Sequence, residues 1–232
     1  MSLRNRLETE IQGILTSPWD TSRGIVIPSP DRLRLNANHA IELESATVLY
    51  ADIDGSTAMV DHYVWWFAAE VYKTFLRCAS QIIRECGGTI TAYDGDRVMA
   101  IFVDDFKNTN AVTAALRIYS AVEDIIQPSF QQRYPDTNFQ LKHVIGVDTS
   151  QIRAARIGIH GDSDIVWIGK AANYAAKLTS LPGPAAWITA DVYNSILASL
   201  KFTNNEAMWE KFTWNTMGNA EIYRCTWKQT FA

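Results

Sequence analysis

The sequence predicts an α+β fold with a ferredoxin-like sheet, mixed or antiparallel, flanked by helices. Three observations predict it. Apolar strand-like runs alternate with two long amphipathic helical patterns. An Asp-Gly turn splits "GTITAYDGDRVMAIFV" into a hairpin. The chain order reads strand, helix, hairpin, helix, strand.

Taken in order, residues 1 to 17 predict a short helix, and the Pro- and Asn-punctuated stretch up to 44 is read as an arm outside the main domain, which is 45–232. Residues 46–53 predict a buried strand. Residues 56–86 carry one long helical pattern, stopped by Gly87 and Gly88. Its aromatic cluster of Tyr63, Trp65, Trp66 and Phe67 reads as core or subunit interface rather than a stacking platform. The hairpin turns at Asp94 and Gly95, with Asp96 just past the turn. A helix over 108–127 ends at Pro128, and strands follow at 140–147, 151–158 and 163–168. Gly169 opens a helix through Leu181, and strand, helix and strand at 185–189, 190–200 and 220–227 finish the chain. No internal repeat or low-complexity segment interrupts this order.

Composition narrows the function. The 232 residues are 47% hydrophobic and 20% charged, ordinary for a globular protein with one sizeable core. A formal charge of -4 gives no basic field for non-specific nucleic-acid binding, so no nucleic-acid partner is expected. Any anionic ligand must be held by local donors or by metal. Cys78, Cys86 and Cys225 are three scattered thiols rather than a disulfide framework, which predicts a reducing compartment. The amphipathic N-terminus has no long apolar run of the signal-peptide kind, and no stretch approaches the ~20 apolar residues of a membrane span. A cytoplasmic location is expected.

Chemistry concentrates in three stretches. Asp52 ends the first strand and Asp96 follows the hairpin turn, so a sheet that pairs them brings two carboxylates to one edge. Hard divalent cations such as Mg²⁺ or Mn²⁺ take such oxygen ligands together with substrate phosphates. In "DGST", Gly55 permits close backbone approach, and the N–H groups of Ser56 and Thr57 open a helix that can hold phosphate. Alone, that turn is equally well an N-cap. In "WIGKAANYAAKLTSLPG", Asn173 and Lys177 are four residues apart and share a helix face, offering an amide and a positive charge to a phosphoryl-transfer transition state. Alone, they are a solvated pair. His62, His143 and His160 share no ligand spacing and read as core or surface residues.

Together, "YADIDGST", "GDRVMAIF" and "GKAANYAAKL" resemble the signature of class III nucleotidyl cyclases, in the same order and spacing over about residues 44–227. The resemblance implies that Asp52 and Asp96, with the carbonyl of Ile53, bind two divalent cations, Mn²⁺ or Mg²⁺. It implies that Asn173 and Lys177 stabilise the transition state. It also implies a head-to-tail homodimer in which each of two sites draws on both subunits.

The departures from that pattern are informative. Purine-selective members carry base-reading polar side chains where this chain has Ala92 and Val166, neither of which can hydrogen-bond a purine edge. The residue two before the first metal aspartate is usually Phe and here is Tyr50, whose hydroxyl adds a polar handle near the base. Tyr93 and Trp167 are further bulky candidates for the pocket wall. This combination is similar to the pyrimidine cyclases of the bacterial Pycsar antiphage system. That similarity implies conversion of UTP, or alternatively CTP, to a cyclic 3′,5′-monophosphate that activates a separate effector. A non-catalytic nucleotide-sensing module is the rival, but such modules usually lose a metal aspartate and both are present. Lys177 replaces the usual Arg, keeping the charge and losing the planar fork. Arg97, Lys107, Arg153, Arg156 and Arg224 are candidates for holding the outer phosphates.

Overall fold

A computed structural model describes residues 1–231. The arm contains helix α1 (Leu3–Thr16) and strand β1 (Asp20–Gly24). Strand β2 (His39–Asp54) leads into α2 (Ser56–His62), α3 (Trp65–Glu85) and the hairpin β3 (Thr89–Asp94) and β4 (Arg97–Phe102). Helices α4 (Lys107–Ala121) and α5 (Gln127–Arg133) precede β5 (Lys142–Ile159), β6 (Asp162–Gly169) and α6 (Lys170–Leu178). The chain closes with β7 (Ala185–Thr189), α7 (Ala190–Ser195), a two-strand pair β8 (Phe202–Thr203) and β9 (Glu206–Ala207), then β10 (Glu210–Trp214) and β11 (Ala220–Cys225).

The main sheet runs β10-β11-β7-β5-β2-β4-β3, with β1 added to β2 and β6 to β5. Its pairs are antiparallel except for β1 with β2 and β5 with β7, the mixed α+β sheet expected. Alternation along β2 divides the molecule in two. Leu49, Ala51 and Ile53 turn to one face and pack with Val71 and Phe75 of α3 and Ala111 and Leu116 of α4. Val48 and Tyr50 turn to the other, where α6 lies on the sheet through Ala171, Ala172 and Ala175. Gly146 of β5 makes that seating possible: a Cβ there would stand 2.2 Å from the carbonyl oxygen of Ala175.

Several element boundaries differ from expectation. The helix over 56–86 is broken at Tyr63 and Val64, where Val64 takes an extended conformation and Tyr63 stacks on Phe67, 4.5 Å between ring centroids. Burying that ring outweighs helix continuity. Pro128 does not end a helix, because α4 passes through a π-turn (Val122–Ile126) that resets the hydrogen-bond ladder and leaves the proline in the opening turn of α5. The strands expected at 140–147 and 151–158 are one strand, β5. Its polar middle is satisfied in place: Thr149 bonds Thr47 and the carbonyl of Ala46, and Ser150 accepts from the N–H of Ala171. The helix from Gly169 ends at Leu178, short of Leu181. The edge strand β10 was not expected, its polar residues masking the strand pattern.

The expected boundary between arm and domain falls inside β2. Near it the pairing with β5 shifts between Leu43 and Ala46, where β2 carries one extra residue. Among the described residues no helix is long and apolar enough to cross a membrane.

Candidate active site

The antiparallel register of β2 and β4 builds the site. Tyr50 lies opposite Met99 and Ala51 opposite Val98, after which β2 runs on through Asp52, Ile53 and Asp54 without a β4 partner. The β3–β4 hairpin closes through a two-residue turn, Gly95 and Asp96, since Asp94 pairs with Arg97. Gly95 has φ 62 while Asp96 does not share that left-handed conformation, the pattern of a type II′ turn. Asp96 is thus a turn residue, one position earlier than expected relative to the second strand. Asp52 and Asp96 are both half-buried at the same end of the sheet, and the charge of Asp96 acts on Asp52. Burial, then the charge of Asp96, pushes the Asp52 carboxyl up to about 6, against the Arg97 guanidinium and the Thr179 hydroxyl.

Two carboxylates held close enough to repel, beside β2 backbone that pairs with β5 but has no β4 partner and includes Ile53, form an all-oxygen donor set of the type hard divalent cations take. No group of three or more His, Cys, Asp and Glu forms among the described residues, at this site or any other, and His143 is fully buried against the rings of Phe75 and Tyr119. Burial alone lowers the His143 imidazole to about 3.

Arg97 emerges from the register rather than from the motifs. It lies two residues before Met99 on β4, hence on the same face as Tyr50, diagonal to it. Its guanidinium carbon sits 5.4 Å from the Tyr50 ring centroid, and Nη2 donates to Asp94 at 2.7 Å. The Tyr50 hydroxyl donates to the Met99 sulfur at 3.0 Å, a weak acceptor that a base carbonyl can displace. Burial raises the phenol above its ordinary value. Ala92 packs on the same cluster as Tyr50, placed there by the register shift between Ile90 and Ala92. Tyr93 turns the other way, sharing a hydrogen bond with Ser80 of α3 at 2.8 Å, so it is no part of this pocket within the chain.

Gly55 caps α2 with φ 78, Ser56 is half-buried and Thr57 exposed. Because α2 has seven residues, the long helix dipole expected behind this turn is absent, and only the first-turn N–H groups remain as phosphate donors. On α6, Asn173 and Lys177 project to solvent on the side away from the buried alanines. Neither pairs with a carboxylate among the described residues, and the Lys177 ammonium approaches only the Met217 sulfur, at 3.6 Å. Val166 of β6 pairs with Ala155, nine residues along β5 from the Gly146 that faces Tyr50, about 30 Å of strand. Trp167 packs on the same apolar cluster as Tyr50.

The other basic candidates are engaged elsewhere. Arg153 pairs with Glu42 at 2.5 Å, Arg156 donates to Ser163 and to the carbonyl of Pro30, and Arg224 faces Glu210 at 3.8 Å. Lys107 opens α4.

Solved structures place this fold. The adenylyl cyclase CyaB from P. aeruginosa superposes with a TM-score of 0.65 at 22% identity, covering 82% of this chain and 97% of that one. The guanylate cyclase domain of RhGC from Catenaria anguillulae, in complex with GTP, superposes at 0.66 with 18% identity, covering 81% and 99%. The architecture is therefore that of a class III nucleotidyl cyclase catalytic domain. No protein-family model matches the chain. A uridylate cyclase of Burkholderia cepacia is 54% identical over 99% of this chain and 100% of its own length. Uridylate cyclases of Xanthomonas perforans and Rhodovulum sp. are 49% and 33% identical, each over 98% of this chain and 98% and 97% of theirs. The chain belongs to the uridylate cyclase family.

Proposed function

We propose that this protein converts UTP to cyclic 3′,5′-UMP and pyrophosphate in two shared sites of a head-to-tail homodimer, with residues 45–232 as the catalytic domain. One observation carries the division of labour. Asp52 and Asp96 converge at one sheet end, whereas Asn173 and Lys177 face solvent without partners, as residues serving a second subunit's site would.

Asp52, Asp96 and the Ile53 carbonyl would hold two divalent cations, Mn²⁺ or Mg²⁺. When bound, these supply the positive charge that makes the ribose 3′ hydroxyl acidic. The N–H groups at Ser56 and Thr57, beside Gly55, hold the triphosphate. Asn173 of the second subunit donates a hydrogen bond that orients the nucleotide, and Lys177 offsets the charge that builds as the 3′ oxygen bonds to the α-phosphorus and pyrophosphate leaves. Its single ammonium replaces a bidentate fork, which favours a modest turnover.

Tyr50 reads the base, Ala92 beside it and Val166, which can reach it only from the second subunit, add no purine-reading group, and Arg97 biases the choice. A guanidinium carries donors only, so it matches a uracil carbonyl and opposes the amine of cytosine. CTP remains the alternative substrate because the Tyr50 hydroxyl both donates and accepts. The product is a second messenger for a separate effector in antiphage defence, and the free thiols Cys78, Cys86 and Cys225 support a cytoplasmic location. Incubation with each of the four ribonucleoside triphosphates and Mn²⁺, with products identified by mass, tests the substrate. Cyclic UMP is expected in excess, and a purine-only product overturns the proposal.

A further inference from the structure

Asp148 is a buried carboxylate that the chemistry above does not use. It lies opposite Val48 in the β2–β5 pairing, has no exposed surface, and sits on the α6 face of the sheet with Gly146 and Ser150. One oxygen accepts from the Thr189 hydroxyl at 2.5 Å, and the other has no hydrogen-bond partner. Burial raises its pKa, opposed by the Thr189 hydroxyl and the Thr149 backbone N–H. A buried charge of this kind destabilises a fold unless a partner offsets it, and an apolar residue of similar size is often the more stable choice.

The same face of the sheet carries the start of α6, which has donors of its own to satisfy. That helix is capped by Gly169, which has no side chain to offer, and its first turn contains no acidic residue. One of its opening donors is met from β5 instead. Ser150 accepts the Ala171 N–H at 2.9 Å, and two residues earlier on the same face of β5 Asp148 lies fully buried. Lys170 in turn donates to Asp191 at 2.8 Å, and its ammonium lies 5.1 Å from the Tyr174 ring centroid. Thr189 and Asp191 flank the β7–α7 junction, so one polar cluster ties the start of α6 to both β5 and β7.

We propose that Asp148 is a positioning residue for catalysis: bonded to Thr189, it holds the β7–α7 junction whose Asp191 grips Lys170, and so fixes the first turn of α6 and aims Asn173 and Lys177 at the site they serve. The inference rests on the shared-site proposal above, in which α6 acts on the partner's metal-binding end. Asp148 therefore belongs to the same complementation group as Asn173, although it touches no substrate.

Pairwise mixing of separately purified variants tests this, reading pyrophosphate release from UTP with Mn²⁺. Asp148→Ala alone is expected to lower kcat on the order of 10- to 100-fold with KM within about twofold, because a small misplacement of a catalytic group acts on turnover. Mixed with Asp52→Ala it regains about a quarter of wild-type activity, since half the dimers are mixed and each carries one intact site. Mixed with Asn173→Ala it regains nothing. Recovery with Asn173→Ala but not with Asp52→Ala places Asp148 on the metal side and overturns the proposal. So does failure with both while the Asn173→Ala and Asp52→Ala control recovers. If that control fails, the shared-site proposal falls, and steady-state kinetics decide Asp148: a lower kcat at constant KM upholds it, a raised KM with kcat kept overturns it.

Discussion

The two faces of the central sheet carry the same strands and opposite priorities. On the α3–α4 face, Leu49, Ala51 and Ile53 are sealed under two long helices, and even a histidine is packed there with neither ring nitrogen bonded. On the α6 face, one nine-residue helix covers the middle of the sheet and leaves Tyr50, Asp52, Asp96 and Arg97 half-buried toward the hairpin end. The first face supplies stability from apolar area. The second holds like charges close together, which opposes folding and suits a divalent cation.

Substitution of Asp96 strains this contrast most. Asp96→Ala is expected to lower kcat by on the order of 10³-fold, the scale of losing a principal electrostatic group, while the melting temperature of the metal-free protein holds or rises. A parallel loss of fold would show that the open face also bears stability. Calorimetry and pyrophosphate release on the same preparation separate the two.

Acid separates the faces by sign. The His143 imidazole is lowered to about 3 from an ordinary 6.5, so the unfolded chain takes its proton first and stability falls as pH drops below 6.5, by about 2 kcal/mol between pH 7 and pH 5. Asp52, raised to about 6 from 3.8, acts oppositely: the folded state takes the proton first, and stability rises as pH falls from 7 toward 4. That group is partly exposed, so solvent screening holds its gain to about 0.5 kcal/mol over the same interval. The sealed face therefore dominates, and denaturant midpoints of the metal-free protein fall from pH 7 to pH 5. His143→Phe removes most of that fall.

The smallest effect is on the open face alone. Asp52→Asn relieves burial and repulsion together, and the metal-free protein is expected to gain about 1 kcal/mol at pH 7 after screening, or about 2 to 4 °C in melting temperature. Activity is lost with it. An unchanged melting temperature would mean that Asp52 and Asp96 do not repel.

The strands and turns that end on Asp52, Asp96 and Gly169 were legible in the sequence because their signals are local: an apolar run, a turn residue, a helix period. Features set by distant partners were not. The Asp148, Thr149 and Ser150 stretch reads as a break until Thr189, Thr47 and α6 satisfy it. Arg97 reads as one basic residue among several until the pairing of Tyr50 with Met99 turns it toward the tyrosine. Tyr93 is moved off the pocket wall by the extra residue Thr91, two positions upstream, which no periodicity in β3 announces.

The extra residue in β2 between Leu43 and Ala46 sets the phase of the site. Before it, the odd-numbered Leu43 meets the α6 face; after it, the even-numbered Ala46, Val48 and Tyr50 do. Side chains alternate with a period of two, so this residue is a frameshift written into the strand. Deleting Ser45 would leave one half of β2 turned over: either the arm loses its apolar seat, or Tyr50 and Asp52 are driven into the core while Leu49 and Ile53 emerge where the nucleotide should bind. The enzyme's chemistry depends on the parity of a count made some seven residues before its first aspartate.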